Sequence, residues 1–182
     1  MKKKLFVISL VYLLIVPGFV VAEKDIIKNF PKSSLELDLA SFTKLGEKLI
    51  EFSIFSIDVY VVSYFERKHK ASANKARAIN LNYKMNVSKS LSIKGWDEGF
   101  KWMNKEEKNK YKEAVNWIHK STVDLLKRDN LTIFVVEGIT TLKRNNKTIA
   151  VSQDPLVGEI ILGPWIGDKP IRTDVKKALL GK

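Results

Sequence analysis

The stretch over residues 55–65 constrains the fold more than any other part of the chain. Its side chains are mostly β-branched or aromatic, and apolar residues fall on both of the faces that an extended chain presents. Strands with this composition are typical of a sheet that is covered on both sides. We therefore expect residues 55–65 to form a central strand on which the other elements pack.

The residues that flank this stretch predict further strands. Strict alternation over residues 35–39 indicates a half-buried strand, Gly46 indicates a turn, and alternation from residue 49 to residue 54 indicates a second strand. At Phe55 and Ser56 the alternation breaks, which favours a bulge or a tight reversal. After a polar loop, apolar residues alternate with Asn and Lys over residues 79–87 and predict a strand with one buried face.

The second half of the chain carries patterns typical of helices and of further strands. Ser88 is a candidate N-cap for a helix with apolar residues at positions 93, 96, 100 and 103, and Asn104 with Glu107 matches a capping box that opens a longer helix to residue 125. Strands return at 131–136, 139–142 and 148–151. A short helix begins at Asp154-Pro155 and is stopped at residues 163–164, and a last helix runs from a Thr173 cap to residue 181. This order predicts an α+β fold with an antiparallel sheet and a helical pair over one face.

The amino terminus predicts export. Lysines at positions 2–4 precede an apolar run over residues 5–16, and Pro17-Gly18 interrupts the run before small residues near position 22. We interpret residues 1–22 as a cleaved signal peptide, residues 23–34 as a tether or edge segment and residues 35–182 as one domain. The alternative is an uncleaved membrane anchor. Cleavage would leave no stable membrane span and a periplasmic or secreted protein.

Composition excludes several kinds of site. The formal charge is +12, but only five of the 32 basic residues are Arg and acidic residues are interspersed, which favours a solvated surface over a nucleic-acid interface. The absence of Cys rules out disulfides, thiolate metal sites and Cys nucleophiles. His69 and His119 have no second ligand at a suitable spacing, so no metal is expected. Phosphate-binding loops and nucleophile elbows are also absent, and we expect no cofactor.

Four motifs resemble those of the chalcone isomerase-like superfamily. They are Ile-Asp-Val-Tyr-Val-Val-Ser-Tyr at 57–64, Ile-Asn-Leu-Asn-Tyr at 79–83, Lys-Arg-Asp at 127–129 and Trp-Ile-Gly-Asp-Lys-Pro at 165–170, closed by Leu-Leu-Gly at 179–181. Their order is most similar to that of bacterial secreted members that carry this domain alone. The resemblance implies an open-faced β-sandwich, in which a large antiparallel sheet carries a layer of helices with a cleft between them.

The resemblance also implies two functions. Plant members isomerise chalcones with the help of an Arg and hydroxyl donors that stabilise negative charge, and other members bind fatty acids through an Arg and a Tyr. At the Arg position this chain has Lys48, which offers a point charge instead of a planar fork. Phe55 occupies the position of a hydroxyl that the enzymes carry. Isomerase activity is therefore not expected.

Four residues are candidates for ligand binding: Lys48, Tyr60, Tyr64 and Trp102. Lys48 is either an anion anchor or an exposed strand-end lysine. The two tyrosines lie on one face of their strand, where each hydroxyl meets either a ligand carboxylate or a partner in the core. Trp102 and Trp117 lie off the main apolar stripes and form either cleft walls or an exposed patch for a protein partner.

From these residues and the resemblance we expect a non-enzymatic protein that binds an apolar or fatty-acyl ligand between sheet and helices. One alternative is a protein-interaction module of the cell envelope. The other is an isomerase or lyase that acts on an unsaturated carbonyl compound.

Overall fold

The computed structural model describes residues 37–52, 57–67 and 76–182, and its framework is a six-stranded antiparallel sheet. Neighbouring strands in the sheet are also neighbours in the chain, so each connection joins adjacent strands. The strands are β1 (Thr43–Phe52), β2 (Ile57–Arg67), β3 (Ala76–Tyr83), β4 (Asn130–Val136), β5 (Ile139–Arg144) and β6 (Lys147–Ser152). Phe55, Ser56 and His69 lie outside the described residues, as do the predicted signal peptide and tether.

Strand β2 is covered on both faces, as its composition predicts, but it is not central. Val62 and Tyr64 belong to the main core, whereas Phe65 packs against a second cluster on the opposite face. In the described sheet β2 lies second from one edge, and β3 and β4 occupy the middle. Apolar residues on both faces indicate that a strand is covered on both sides. They do not indicate whether the strand lies at the centre of the sheet or near its edge.

Six α-helices are found in the described part of the chain. They are α1 (Lys89–Gly99), α2 (Lys105–Lys110), α3 (Lys112–Ser121), α4 (Pro155–Ile160), α5 (Gly163–Ile166) and α6 (Thr173–Leu179). The predicted caps at the first two are confirmed. Ser88 Oγ accepts a hydrogen bond from the Leu91 N–H at 3.3 Å. Asn104 and Glu107 form a complete capping box, with bonds of 2.8 and 2.9 Å.

The predicted helix from residue 105 to residue 125 is shorter and interrupted. Tyr111 separates α2 from α3 with φ −97° and ψ 8°, and α3 ends at residue 121. Thr122 then turns its hydroxyl back to the Ile118 carbonyl at 2.7 Å, which helps to end the helix. Leu125 instead forms an antiparallel bridge with Val87. The chain therefore leaves the helix to return to the sheet.

Two predictions about helix ends were wrong in detail. Gly163-Pro164 was expected only to end a helix, but it begins the short helix α5, with Pro in the first turn. The last helix is not capped by Thr173, which is its first residue. Arg172 occupies the N-cap position and supplies no side-chain cap.

The predicted strand over residues 35–39 is also wrong for its described part. Asp38 Oδ1 accepts a hydrogen bond from the Ala40 N–H at 3.1 Å and caps a 3-10 turn at Leu39–Ser41. Alternation alone did not reveal this, because an Asp side chain can accept a hydrogen bond from a nearby backbone N–H and so compete with a strand. Gly46 likewise does not form a turn, since it lies inside β1 at a shift in register.

Both faces of the sheet are covered. On one face Val62, Ile79 and Ile133 pack under residues from the helices, including Trp96 of α1 and Ile118 of α3. The predicted helical layer over one face is thus confirmed. On the other face a smaller cluster surrounds Phe134, whose ring lies 5.5 Å from that of Phe42. No helix among the described residues is long and apolar enough to cross a membrane.

Candidate ligand-binding cavity

A cavity of about 680 Å³ lies between the sheet and the helical layer. Every strand contributes to its lining, and so do α1, α3 and α5. Apolar side chains of the strands form much of its floor: Leu81, Leu131, Leu142 and Ile149. This volume falls within the range that proteins use to hold small molecules.

Two indole rings form part of the cavity wall. Trp96 and Trp165 meet edge to face, with ring centroids 5.4 Å apart and an interplanar angle of 84°. Both are buried, as their positions in the apolar pattern predicted. Edge-to-face packing fixes the orientation of both rings, so this wall is preformed.

The exposed rim of the cavity includes three large apolar side chains. Ile57, Leu91 and Ile171 line it and are 46%, 44% and 49% exposed. They come from three separate parts of the chain, namely β2, α1 and the segment before α6. Exposed apolar residues grouped at an opening are a common feature of ligand entrances. An apolar molecule that enters would bury this rim.

Two tyrosines supply polar groups to the cavity. Tyr60 accepts a hydrogen bond from Trp165 Nε1 at 3.3 Å, and its ring centroid lies 5.5 Å from that of Tyr83. Burial raises the pKa of both hydroxyls above the ordinary value for tyrosine, and for Tyr83 the neighbouring Tyr60 adds to the rise. Both hydroxyls are therefore protonated at neutral pH and can donate a hydrogen bond.

Two polar side chains of the cavity lining are available to bind a ligand oxygen. Ser92 Oγ on α1 is buried and has no hydrogen-bond partner among the described residues, and Tyr83 carries a hydroxyl in the same lining. Buried polar atoms are nearly always paired in proteins. An oxygen atom of a bound ligand would satisfy either group.

The four sequence-predicted site residues do not converge. Tyr60 lines the cavity, but the other three lie outside its lining. Lys48 Nζ lies 3.9 Å from Asp174, and its side chain is 42% exposed. Tyr64 donates its hydroxyl proton to Glu66 Oε1 at 2.8 Å. Trp102 is half-buried, with the ammonium group of Lys169 5.4 Å from its ring centroid. A role in ligand binding stays a prediction for all four.

Sequence reasoning passed over three residues that line the cavity. Tyr83 belongs to the apolar pattern of the predicted strand 79–87, Trp165 belongs to the closing motif of the resemblance, and Ser92 is one polar residue on a predicted helix. The only available signal was chemical, because the tip of a buried Tyr or Trp carries a polar atom that needs a partner. The pattern could not show whether that partner would be protein or cavity.

The described residues contain no metal centre. His119 Nε2 lies 3.1 Å from Asp97 Oδ1, so this pair links α3 to α1. Within residues 37–52, 57–67 and 76–182, no three side chains of His, Asp or Glu converge to hold an ion.

The sheet, its helical layer and the cavity between them define an open-faced β-sandwich with an internal apolar cleft. A sequence profile described as chalcone isomerase-like matches residues 53–181. The chain therefore belongs to the chalcone isomerase-like family, as its motifs predicted. No curated protein sequence matches the chain significantly.

A solved structure supports the same fold. The chain is similar to the crystal structure of a fatty-acid binding protein from Arabidopsis thaliana, with a TM-score of 0.59 and 13% sequence identity. The similarity covers 84% of this chain and 91% of the plant protein. At this level of identity it shows the fold and leaves the ligand open.

Proposed function

We propose that this protein is an exported, non-enzymatic member of its family that holds an apolar or fatty-acyl ligand in the cavity. The observation that carries the proposal is the 680 Å³ apolar space, with its exposed rim of Ile57, Leu91 and Ile171. A sheet and helical layer that only had to be stable would pack together and fill this volume, because cavities cost stability.

The side chains in the cavity support binding over catalysis. Its described charged residues are Glu51, Lys94 and Glu98, all of them exposed. General acid-base work needs a titratable group near the reacting atoms with a pKa close to the working pH. The buried hydroxyls of Tyr60 and Tyr83 have raised pKa values and serve poorly as bases.

Two further observations support the ligand class and the location. The similar plant structure is that of a fatty-acid binding protein, so this fold can accommodate an acyl chain. Residues 1–22 have the charge and hydropathy of a signal peptide, which supports export to the periplasm or the outside of the cell.

The ligand can be tested by native purification. We expect the protein taken from its own cell envelope to carry a lipid that mass spectrometry of an organic extract identifies. Leu142→Trp places a large ring in the cavity and should abolish the lipid. Leu49→Trp is the matched control, because Leu49 is exposed and lies outside the cavity lining. A lipid-free protein with no affinity for fatty acids or other acyl compounds would refute the proposal.

Export has a separate test. Intact-mass measurement of the protein from the envelope fraction should show a chain that begins at residue 23. A full-length chain that stays with the membrane would instead support an uncleaved anchor.

A further inference from the structure

Among the described residues, the cavity lining offers no buried cation to pair with a carboxylate. All five arginines are among the described residues, and none lines the cavity: Arg67, Arg77, Arg128, Arg144 and Arg172. Three of them have other partners, because Arg144 pairs with Asp129, Arg172 pairs with Asp174, and Arg67 bonds to Ser41 and stacks on Phe42. Lys94 is the one cationic side chain in the described lining, and it is exposed on α1.

The charges around Lys94 also disfavour an anion. Glu51 and Glu98 line the same cavity and are exposed. Together the three charged residues of the described lining sum to one negative charge. A ligand carboxylate drawn into the interior would lose its water without gaining a cation, which is among the most costly burials in a protein.

The interior offers neutral hydrogen-bond donors instead. Tyr60, Tyr83 and Ser92 each bring a hydroxyl group to the cavity lining, and the buried Ser92 Oγ has no partner among the residues that the structure covers. A hydroxyl donates well to a carbonyl oxygen. Such a bond satisfies both groups without burying a charge.

We propose that the cavity selects long-chain molecules whose buried polar group is a neutral hydrogen-bond acceptor, such as an ester or a ketone, over ionised fatty acids. The ligand's carbonyl oxygen accepts from the Tyr83 hydroxyl, and its chain lies over Leu81, Leu131 and Leu142. This inference rests on the proposed function, because it names the ligand class for the same cavity.

The test compares two probes with equal chains, dodecanoic acid and methyl dodecanoate, and uses dodecane as a probe without a polar group. Trp96 and Trp165 in the wall provide a fluorescence signal for binding. At pH 8, where the acid is ionised, we expect the ester to bind at least tenfold more tightly than the acid. Lowering the pH to 5 should narrow this gap, because protonation makes part of the acid neutral.

Variants locate the contact. Tyr83→Phe should weaken ester binding about threefold to tenfold, the usual worth of one hydrogen bond, and leave dodecane binding unchanged. Tyr111→Phe is the matched control, since it removes a tyrosine hydroxyl that donates to Glu159 outside the cavity lining and should change neither affinity. Circular dichroism of each variant checks that it is folded.

The outcomes separate the two proposals. If ionised dodecanoate binds at pH 8 as tightly as the ester, the selectivity is wrong while the proposed function stands. If Tyr83→Phe folds and binds the ester as well as wild type, the assigned contact is wrong. If ester, acid and alkane all fail to bind the lipid-free protein, the proposed function itself fails. The comparison of ester and acid uses wild-type protein, so it does not depend on any variant folding.

Discussion

Replacing Gly46 by alanine should destabilise the protein and displace the last helix. Gly46 lies in β1 where the strand passes the end of α6. A Cβ atom on Gly46 would lie 2.0 Å from the Ala178 carbonyl oxygen and 2.9 Å from that of Leu179. These are main-chain atoms, so they cannot move aside by rotating a side chain.

The expected cost follows from this geometry. A separation of 2.0 Å is 1.4 Å short of the 3.4 Å at which ordinary contact begins, so β1 or α6 must move by about that distance. Moving α6 also displaces Val175 and Leu179, the two residues of this helix that are buried in the main core. Overpacking of this kind costs about 1–3 kcal/mol. For a domain of this size, we expect the melting temperature to fall by about 2–12 °C.

Gly95→Ala is the matched control, with the opposite sign. Gly95 lies within α1, is exposed, and has no other atom within 4 Å of the position of an added Cβ. Alanine in a helix interior is more stable than glycine by about 0.5–1 kcal/mol. The same substitution should therefore raise the melting temperature here by a few degrees.

Thermal unfolding followed by circular dichroism measures both variants. Unfolding in urea gives the free energies directly and checks that both transitions are two-state. A Gly46→Ala variant as stable as wild type would show that α6 does not press on β1 as described. Destabilisation by Gly95→Ala would show instead that loss of glycine, and not the close approach, is the cause.

Two other perturbations test individual hydrogen-bond networks. Desolvation tends to raise the pKa of the nearly buried Asp129, but hydrogen bonds from a main-chain N–H, Asn145 and Arg144 outweigh it and hold the pKa below its ordinary value. Its contribution to stability is therefore complete above about pH 4 and is lost as the pH falls through the lowered pKa. Asp129→Asn should lower the free energy of unfolding at pH 7, measured in urea, and should reduce its fall at acidic pH. An unchanged fall at acidic pH would contradict the role assigned to Asp129. Asn104→Ala should cost about 1 kcal/mol by removing the capping box, whereas Asn109→Ala within α2 should not, and equal costs would show that the cap is unimportant.

The sequence predicted those features that depend on near neighbours. Alternation over residues 79–87 identified β3, and Ser88, Asn104 and Asp154 marked the starts of three helices. A cap and the backbone groups it satisfies lie within three residues of each other. The information needed for such a prediction is therefore contained in the segment itself.

Features that depend on distant packing were missed. Gly46 was assigned to a turn because glycine is common in turns, but here it permits contact with Ala178, 132 residues away. The cavity could not be predicted for the same reason. Tyr83 has the same sequence pattern whether its hydroxyl meets a protein atom or an empty space.

The chemistry of the cavity depends on the register between two strands. Tyr60 of β2 lies opposite Tyr83 of β3 in the antiparallel pair, and Val62 lies opposite Leu81. Cross-strand partners project to the same face of a sheet, so this register places both tyrosines on the face that the helices cover. A slip of one residue on either strand would turn its tyrosine to the opposite face. The two tyrosine donors thus come from the same alternation that builds the core, whereas the charged residues Glu51, Lys94 and Glu98 stay exposed. This separation is why the ligand selectivity proposed above follows from the fold as well as from the absence of an arginine.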